Sequence, residues 1–294
     1  MTTVGFIGLG AMGLPMAKNL AKRGVSVRGF DVRSQAVEAL AQVGGQPAAS
    51  LAEAAAGADA LVLMVVNAAQ AEAILFTDGA LAAMPEDGIA ILMATCPPSA
   101  VGAIAARVLA AGRRFLDAPV SGGVVGAEAA TLTIMAAAPQ ATFEAARPVL
   151  DALGDKVFHV GVEPGQGAMV KTVNQLLCGV HIAVAAEALS LAAKVGVDLD
   201  VMLGILSGSS ASSWMLKNRG PRMLQTDPEV TSAVDIFVKD LGIVLEAGRD
   251  VKAALPLAAL AHQMFLAVSG QGGGADDDSQ VIRAYRALNA PSGR

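Results

Sequence analysis

Short apolar runs alternate with Ala-rich segments of helical spacing through the first half of this 294-residue chain. Strands that alternate with helices of roughly 10 to 15 residues form βαβ units, and such units build a mostly parallel sheet with helices on both faces. The predicted strands are Val4–Gly8, Ser26–Asp31, Ala60–Val66, Ile89–Met93, Phe115–Ala118, Thr131–Ala136 and Val157–Val160. The first half is therefore restricted to an α/β fold with a doubly wound sheet.

After about Gly165 the pattern changes. A helix without proline is predicted over about residues 167–194, and no period-2 segment follows it. Further helices are predicted at Met202–Leu206, Trp214–Leu216, Val234–Val251 and Pro256–Val268. We therefore predict an α/β domain over residues 1–164 and an all-helical domain over residues 165–294, joined through the long helix.

A glycine-rich stretch, Gly270–Gly274, precedes three aspartates, Asp276, Asp277 and Asp278, near the end of the chain. Glycine and aspartate are typical of turns. We expect a mobile, solvated turn here rather than a metal site, because no EF-hand pattern or second acidic cluster accompanies the aspartates.

The composition excludes several function classes. Hydrophobic residues make up 54% of the chain, which argues against disorder, but aromatic residues only 3%, which argues against a stacking-based nucleic-acid binder. The formal net charge of -5 leaves no basic excess to neutralise a phosphate backbone. We expect no nucleic-acid partner.

The sequence also predicts a cytoplasmic protein with no membrane partner. The longest uncharged runs, Gly88–Ala106 and Ala253–Ala275, are interrupted by prolines, and no secretory signal is recognisable. The two cysteines, Cys96 and Cys178, form neither a CxxC motif nor a disulfide framework. The three histidines are scattered without metal-ligand spacing, so no metal is expected.

A glycine motif lies between the first predicted strand and the first helix, where the sequence is Gly8-Leu9-Gly10-Ala11-Met12-Gly13. In a dinucleotide-binding turn the first glycine permits the tight turn, the second lets the backbone approach a pyrophosphate, and the third lets helix and strand pack closely. The helix N-terminus then offers N–H groups to the anion. The motif predicts a Rossmann-type domain in which Gly8, Gly10, Ala11, Met12 and Gly13 bind a dinucleotide.

Asp31 ends the second predicted strand, 18 residues after Gly13, near where the ribose 2′-hydroxyl would be met. A carboxylate there accepts hydrogen bonds from a free ribose and repels a 2′-phosphate, so NAD is favoured over NADP. Arg33 leaves alternatives open, because it could accept a 2′-phosphate, lie over the adenine, or be a solvated surface charge.

Four segments in order resemble the β-hydroxyacid dehydrogenase family, which includes the 3-hydroxyisobutyrate, tartronate semialdehyde and L-threonate enzymes. They are Gly5–Gly13, Asp117–Gly123 (DAPVSGG), Gly165–Asn174 (GQGAMVKTVN) and Lys239-Asp240, and the resemblance extends from Val4 to about Leu288. It implies a dinucleotide-dependent dehydrogenase that assembles as a homodimer or homotetramer.

The resemblance also implies roles for particular residues. Lys171 would be the catalytic residue and would also contact substrate together with Asn174, while Ser121, Gly122 and Gly123 would hold the substrate carboxylate. The nicotinamide end of the cofactor would be lined by Val66, Asn67, Thr95 and Lys239. One motif departs from the family, because an Asp-x-Ser-Thr pattern is replaced by Leu92-Met93-Ala94-Thr95.

The chemistry of these residue types agrees with the implied roles. Lys171 and Asn174 are three residues apart on a predicted helix and so share a face. A lysine with an ordinary pKa near about 10.4 is a poor base, but burial or a neighbouring cation lowers the pKa of such an amine. The alternative is a surface lysine with no role in catalysis.

The segment Ser207–Arg219 is rich in hydroxyl groups for so aliphatic a chain. A hydroxylated pocket favours a polyol acid, and the chain is most similar to the L-threonate dehydrogenase branch. The expected activity is therefore NAD-dependent oxidation of L-threonate or a similar acid, with Lys171 as general acid/base. The alternatives are a 3-hydroxyisobutyrate dehydrogenase, a tartronate semialdehyde reductase and a non-catalytic NAD-binding sensor, and the serines could instead only cap helices.

Overall fold

The computed structural model describes residues 2–289, which divide into two compact units between Lys171 and Thr172. The first unit contains the sheet. Its strands are β1 Thr3–Ile7, β2 Ser26–Phe30, β3 Gln46–Pro47, β4 Ala60–Leu63, β5 Ile89–Leu92, β6 Arg114–Asp117, β7 Val120–Ser121, β8 Thr133–Ala137 and β9 Lys156–Gly161.

Helices follow most of these strands. They are α1 Gly13–Lys22, α2 Ser34–Ala41, α3 Leu51–Ala55, α4 Ala68–Glu72, α5 Ala80–Ala83, α6 Pro98–Ala110, α7 Gly123–Ala129 and α8 Gln140–Leu153, with a π-helical turn at Ala73–Thr77.

The strand order is β3-β2-β1-β4-β5-β6-β8-β7, with β9 paired to β8. The first six strands are parallel, β8 runs antiparallel to β6 and β7, and β9 is parallel to β8. The order 3-2-1-4-5-6 is that of a dinucleotide-binding doubly wound sheet, and the predicted fold class is confirmed. The two-residue strands β3 and β7 were not predicted, since neither has a run long enough to show a period.

The central strands are buried on both faces. In β4, Val62 packs into one core cluster while Leu61 and Leu63 pack into another. In β5, Ile91 and Leu92 divide between the same two clusters. Strands covered by helices on both sides read as continuous apolar runs, which is why these strands were recognisable in the sequence.

Up to Asn289, where the described residues end, the second unit is helical apart from one isolated bridge between Ala233 and Asp277. Helix α9, Gln166–Lys194, spans the division between the units. It is followed by α10 Leu199–Gly208, α11 Trp214–Met223, α12 Val234–Asp250, α13 Pro256–Val268 and α14 Ile282–Leu288, with a π-helical turn at Ser269–Gly273 and a 3-10 helix at Asp278–Val281.

The prediction of a solvated turn at the three aspartates is wrong for Asp277 and Asp278, which are buried. Arg219 donates to both oxygens of Asp278 at 2.9 and 2.8 Å, and the guanidinium of Arg222 lies 3.2 Å from Asp277. A buried carboxylate needs such a partner, because its desolvation is otherwise uncompensated. The acidic segment therefore anchors the chain to α11 instead of facing water.

Helix α9 is long and apolar enough to cross a membrane by length and composition alone, and among residues 2–289 it is the one helix that passes this test. Half of its most apolar window is buried inside the protein. The expectation that no segment qualifies rested on uncharged runs, whereas α9 contains Lys171 and Glu187. Its buried polar groups include Gln175, whose amide donates to Asp240 at 2.6 Å, as suits a core helix.

Candidate functional site

The residues predicted to bind the cofactor in the first unit follow strands whose carboxyl ends share one edge of the sheet. Gly8 follows β1, Asp31 follows β2, Asn67 follows β4 and Thr95 follows β5. The strand order reverses between β1 and β4, and ligands of open α/β sheets bind at such a switch point. The topology therefore brings these predicted residues to one crevice.

The glycine turn has the geometry that its sequence predicts. Gly8 has φ of +93°, and an added Cβ would lie 2.3 Å from the carbonyl oxygen of Met64. At Gly13, where α1 begins, an added Cβ would lie 1.9 Å from the carbonyl oxygen of Gly8. At Gly10 it would meet only the guanidinium of Arg33, at 3.7 Å. Gly8 and Gly13 are thus required by packing, whereas the space beside Gly10 is nearly open.

Asp31 and Arg33 form a fixed pair beside this turn. One oxygen of Asp31 accepts from the Leu9 N–H at 2.7 Å, and the other accepts from the backbone N–H and the Nε of Arg33 at 2.9 and 3.1 Å. Partial burial opposes ionisation of Asp31, but the hydrogen bonds from Arg33 and Leu9 outweigh it and lower the pKa of this carboxyl. Arg33 also donates to the Leu9 carbonyl oxygen at 3.2 Å, while its side chain stays 61% exposed, so it is a solvated charge that is also paired with Asp31.

Val66 and Asn67 lie where α4 begins. The side-chain oxygen of Asn67 accepts from the Gln70 N–H at 2.9 Å and caps the helix, and the Gln70 side chain accepts from the Val66 N–H at 2.9 Å. These two groups are used by the helix cap. The Val66 N–H is thus engaged within the protein, whereas the Asn67 amide nitrogen and the second lone pair of its oxygen are not used by this cap.

Ser121 ends β7 and is followed by two glycines with positive φ, +133° at Gly122 and +62° at Gly123. Strand β7 pairs with β8, so Ser121 lies opposite Thr133. The helix α7 that begins at Gly123 is held from outside, because the buried Asn19 of α1 donates to the Ala127 carbonyl oxygen at 2.7 Å. A short loop of this kind exposes successive backbone N–H groups, which suits a carboxylate.

Lys171 and Asn174 lie on α9. Lys171 is only 5% exposed, so the alternative of a solvated surface lysine is wrong. Asn174 is half-buried, and the thiol of Cys178 one turn later lies 3.8 Å from its side-chain oxygen. The helix thus presents an amine, a carboxamide and a thiol on one face.

Lys239 and Asp240 lie on α12 in the second unit. Asp240 is buried, and its two oxygens contact two partners: the amide of Gln175 at 2.6 Å and the ammonium of Lys239 at 3.0 Å. Asp240 therefore ties the Lys239 side chain to α9. The resemblance implied a role for Lys239 at the nicotinamide end of the cofactor, but sequence reasoning gave Asp240 no role and did not predict this bridge.

The hydroxyl groups of the serine-rich segment are not all available to a substrate. Ser213 caps α11 by accepting from the Leu216 N–H at 3.0 Å, and Ser209 accepts from the Ala211 N–H at 3.3 Å. The alternative of helix capping therefore holds for Ser213. Ser207, Ser210 and Ser212 remain as candidate pocket hydroxyls.

Asp117 is a site residue that sequence reasoning missed. It ends β6, is 1% exposed, and accepts from the backbone N–H groups of Gly165 and Ala168 at 2.9 Å each. Burial raises the pKa of Asp117 to about 6, although hydrogen bonds from the Ala168, Gly165 and Gly167 N–H groups act in the opposite direction. A raised pKa on a buried acid at the carboxyl end of a strand marks a candidate functional position.

The remaining titratable groups show no metal centre. Within residues 2–289 no three His, Cys, Asp or Glu side chains are grouped so as to hold a metal ion. His159 stacks on Phe143 and hydrogen-bonds the Ala138 carbonyl oxygen, and His262 hydrogen-bonds that of Val238. Both histidines therefore have packing roles.

The first unit has a doubly wound sheet with a glycine turn after β1 and a carboxylate after β2, and the long helix α9 carries a buried lysine. Together these features define the class of dinucleotide-dependent oxidoreductases. Comparison with known proteins agrees with this class. The model of the NAD binding domain of 6-phosphogluconate dehydrogenase matches residues 3–161. The model of the NAD-binding region of NADP-dependent 3-hydroxyisobutyrate dehydrogenase matches residues 165–285.

Individual relatives align over almost the whole chain. The L-threonate dehydrogenase of Cupriavidus necator is 44% identical over 289 residues, covering 98% of this chain and 97% of the relative. The 2-(hydroxymethyl)glutarate dehydrogenase of Eubacterium barkeri is 38% identical, covering 98% and 96%. The crystal structure of 3-hydroxyisobutyrate dehydrogenase from Salmonella typhimurium has a TM-score of 0.92 at 42% identity, covering 96% and 99%.

The chain belongs to the β-hydroxyacid dehydrogenase family. It is an NAD-binding enzyme that oxidises hydroxy acids.

Proposed function

We propose that the protein oxidises L-threonate, or a similar polyol acid, with NAD as the acceptor and Lys171 as general acid/base. The catalytic part rests on one observation, a lysine only 5% exposed that lies one turn into the helix attached to the sheet edge through Asp117. Removal of an amine from water favours its neutral form, which is the form that accepts a proton.

Different residues bind the substrate and transfer its proton. Ser121 and the backbone N–H groups at Gly122 and Gly123 bind the substrate carboxylate, and Asn174 hydrogen-bonds a substrate oxygen. Lys171 takes the proton of the hydroxyl that is oxidised and returns it in the reverse reaction. Bound NAD would supply the hydride acceptor for the carbon that carries this hydroxyl, so that the alcohol is oxidised to a carbonyl.

Asp31 is the residue that favours NAD over NADP. Its lowered pKa keeps it ionised at neutral pH, where it repels the 2′-phosphate of NADP. Gly8, Gly10, Ala11, Met12 and Gly13 hold the pyrophosphate, and Val66, Asn67, Thr95 and Lys239 line the nicotinamide end. Arg33, held by Asp31 at the glycine turn, borders the adenosine part.

The relatives and the serine-rich segment Ser207–Arg219 both favour L-threonate as the substrate. Relatives named L-threonate dehydrogenase are 40 to 44% identical to this chain. Hydroxyls at Ser207, Ser210 and Ser212 suit a polyol better than the methyl group of 3-hydroxyisobutyrate. That second acid is the competing substrate, because a structure of that name is 42% identical.

We also propose a cytoplasmic homodimer or homotetramer in which residues 1–164 bind the cofactor and residues 165–294 contribute to substrate binding and assembly. Cys96 and Cys178 are both buried and neither forms a disulfide, as is usual in a reducing compartment. Exposed apolar residues along α9 support the assembly of subunits.

The test is NADH or NADPH formation by the purified enzyme with L-threonate, D-erythronate, 3-hydroxyisobutyrate and D-glycerate, the alcohol of the tartronate semialdehyde couple, each assayed with NAD and with NADP. We expect the highest kcat/KM for L-threonate with NAD. Lys171→Met, which removes the amine but keeps the chain length, is expected to lower kcat by about 100-fold or more while NAD binding persists.

Two results would contradict the proposal. A higher kcat/KM for 3-hydroxyisobutyrate would reassign the substrate, and near wild-type turnover by Lys171→Met would remove the lysine from catalysis. Absence of oxidation of all four acids, with NAD still bound, would favour the alternative of a non-catalytic NAD-binding sensor.

A further inference from the structure

Helix α9 begins without a capping side chain of its own. The residue before its first turn is Gly165, with φ of +95°, and an added Cβ would lie 3.0 Å from the Pro98 carbonyl oxygen. The position therefore excludes the Ser, Thr, Asp or Asn that usually accepts from the first N–H groups of a helix. Those N–H groups still need an acceptor, because they have no partner within the helix.

Asp117 supplies that acceptor from the end of β6. Its Oδ2 accepts from the N–H groups of Gly165 and Ala168 at 2.9 Å each, so a single oxygen closes the first turn. The fit is close, because a Cβ at Gly167 would lie 2.5 Å from the Met135 carbonyl oxygen and 3.0 Å from that same Oδ2. The glycines at positions 165 and 167 thus allow the helix to begin directly on the carboxylate.

The position of Asp117 links two parts of the proposed site. It lies four residues before Ser121, which ends the next strand, and it caps the turn that precedes Lys171 by three residues. A displacement of the carboxylate would therefore change the distance between the carboxylate anchor and the amine. At neutral pH a carboxyl with a pKa of about 6 is mostly ionised, and a negative charge is favourable at a helix N-terminus.

We propose that Asp117 is a positioning residue, which fixes the start of α9 and so sets the place of Lys171 relative to Ser121. This inference rests on the proposed role of Lys171 as the proton-transfer group. Asp117 itself need not touch substrate or cofactor, since its Oδ2 is directed at the backbone of α9.

The test combines steady-state kinetics with hydrogen–deuterium exchange of the purified full-length enzyme. Asp117→Asn keeps the shape of the side chain and removes its charge. We expect exchange in residues 163–172 to accelerate about fivefold or more, because the charge-assisted cap is replaced by a weaker neutral acceptor. We expect kcat to fall about 100-fold, the cost of a small misplacement, with KM for NAD changed less than about twofold.

Two further variants keep the test decisive. Gly167→Ala places a Cβ against Oδ2 and is expected to lower kcat in the same way, which covers the case in which Asp117→Asn folds poorly. Asp277→Asn is the matched control, because Asp277 is also a buried carboxylate that accepts backbone N–H groups, those of Thr231 and Ser279. It is expected to lower the melting temperature without changing kcat.

Unchanged exchange in residues 163–172 of Asp117→Asn would overturn the inference, as would accelerated exchange with wild-type kcat. An equal fall of kcat in Asp277→Asn would show a merely structural effect and would also overturn it. Lys171→Met separates the two proposals: if that variant stays active, the catalytic role fails, whereas the exchange result still reports whether Asp117 holds the helix.

Discussion

Single residues with a fixed geometric task were predictable from the sequence, and those that act through a distant partner were not. Gly8 and Gly13 could be assigned because each must fit a local turn, and a φ of +93° with a 1.9 Å approach confirms the reason. In the sequence, Asp117 is only the first residue of the segment Asp117–Gly123, and nothing near it indicates a separate role. Its partners, Gly165 and Ala168, lie 48 and 51 residues away, so no local pattern connects them.

The raised pKa of Asp117 predicts an unusual pH dependence of stability. Its carboxyl titrates at about 6 in the folded protein and near 3.8 in the unfolded chain. Between these values the folded protein holds a proton that the unfolded chain has lost, so the free energy of unfolding falls as pH rises through this window. A difference of about two pKa units corresponds to about 3 kcal/mol.

The measurement is urea unfolding of the wild type and Asp117→Asn from about pH 4 to about pH 7. The wild-type free energy minus that of the variant is expected to decrease up to about pH 6 and to stay constant above it. Asp31, whose pKa is lowered, acts in the opposite direction in both proteins and cancels in this difference. A difference that rises with pH would contradict the assignment.

At the scale of elements, regular periodicity was sufficient for the long helices and central strands, and it failed where stability comes from charge pairs. Helix α13 was predicted with its observed bounds, Pro256–Val268, because a proline begins it and its apolar spacing is regular. The composition of the segment after Gly274, with its three aspartates, predicts a turn. Its order depends on Arg219 and Arg222 of α11, which the sequence cannot pair with Asp278 and Asp277.

The Arg219–Asp278 pair predicts a large asymmetry between single and double substitution. Asp278→Asn leaves a guanidinium that is 7% exposed without its counter-ion and is expected to cost roughly 3–5 kcal/mol of unfolding free energy. The double variant Arg219→Met with Asp278→Leu removes both charges and is expected to cost less, since no buried charge remains unpaired. Urea unfolding of the three proteins measures this, and a double variant less stable than the single one would refute it.

At the scale of the whole molecule, the aliphatic composition excluded several function classes but did not indicate where the excess apolar surface lies. The structure locates part of it on α9. Leu177, Val184 and Leu191 are spaced by seven residues and are 50%, 53% and 59% exposed, and Val170 and Val173 extend the same stripe toward Lys171. Part of the high hydropathy of this helix therefore lies on its surface, where these side chains are accessible to another apolar surface.

A stripe of apolar residues that repeats every seven positions suits packing against another helix, and in a symmetric dimer the same stripe from each subunit meets itself. We therefore expect the double variant Leu177→Glu with Leu191→Glu to shift the protein toward monomer in sedimentation velocity, because each subunit would bring two unpaired carboxylates into an apolar contact. Leu109→Glu is the matched control, since Leu109 is also 50% exposed but belongs to α6 and not to the stripe on α9, and the variant should leave the oligomer intact. A wild-type protein that sediments as a monomer at micromolar concentration, or a double variant that assembles as well as the control, would show that α9 is not the surface of association.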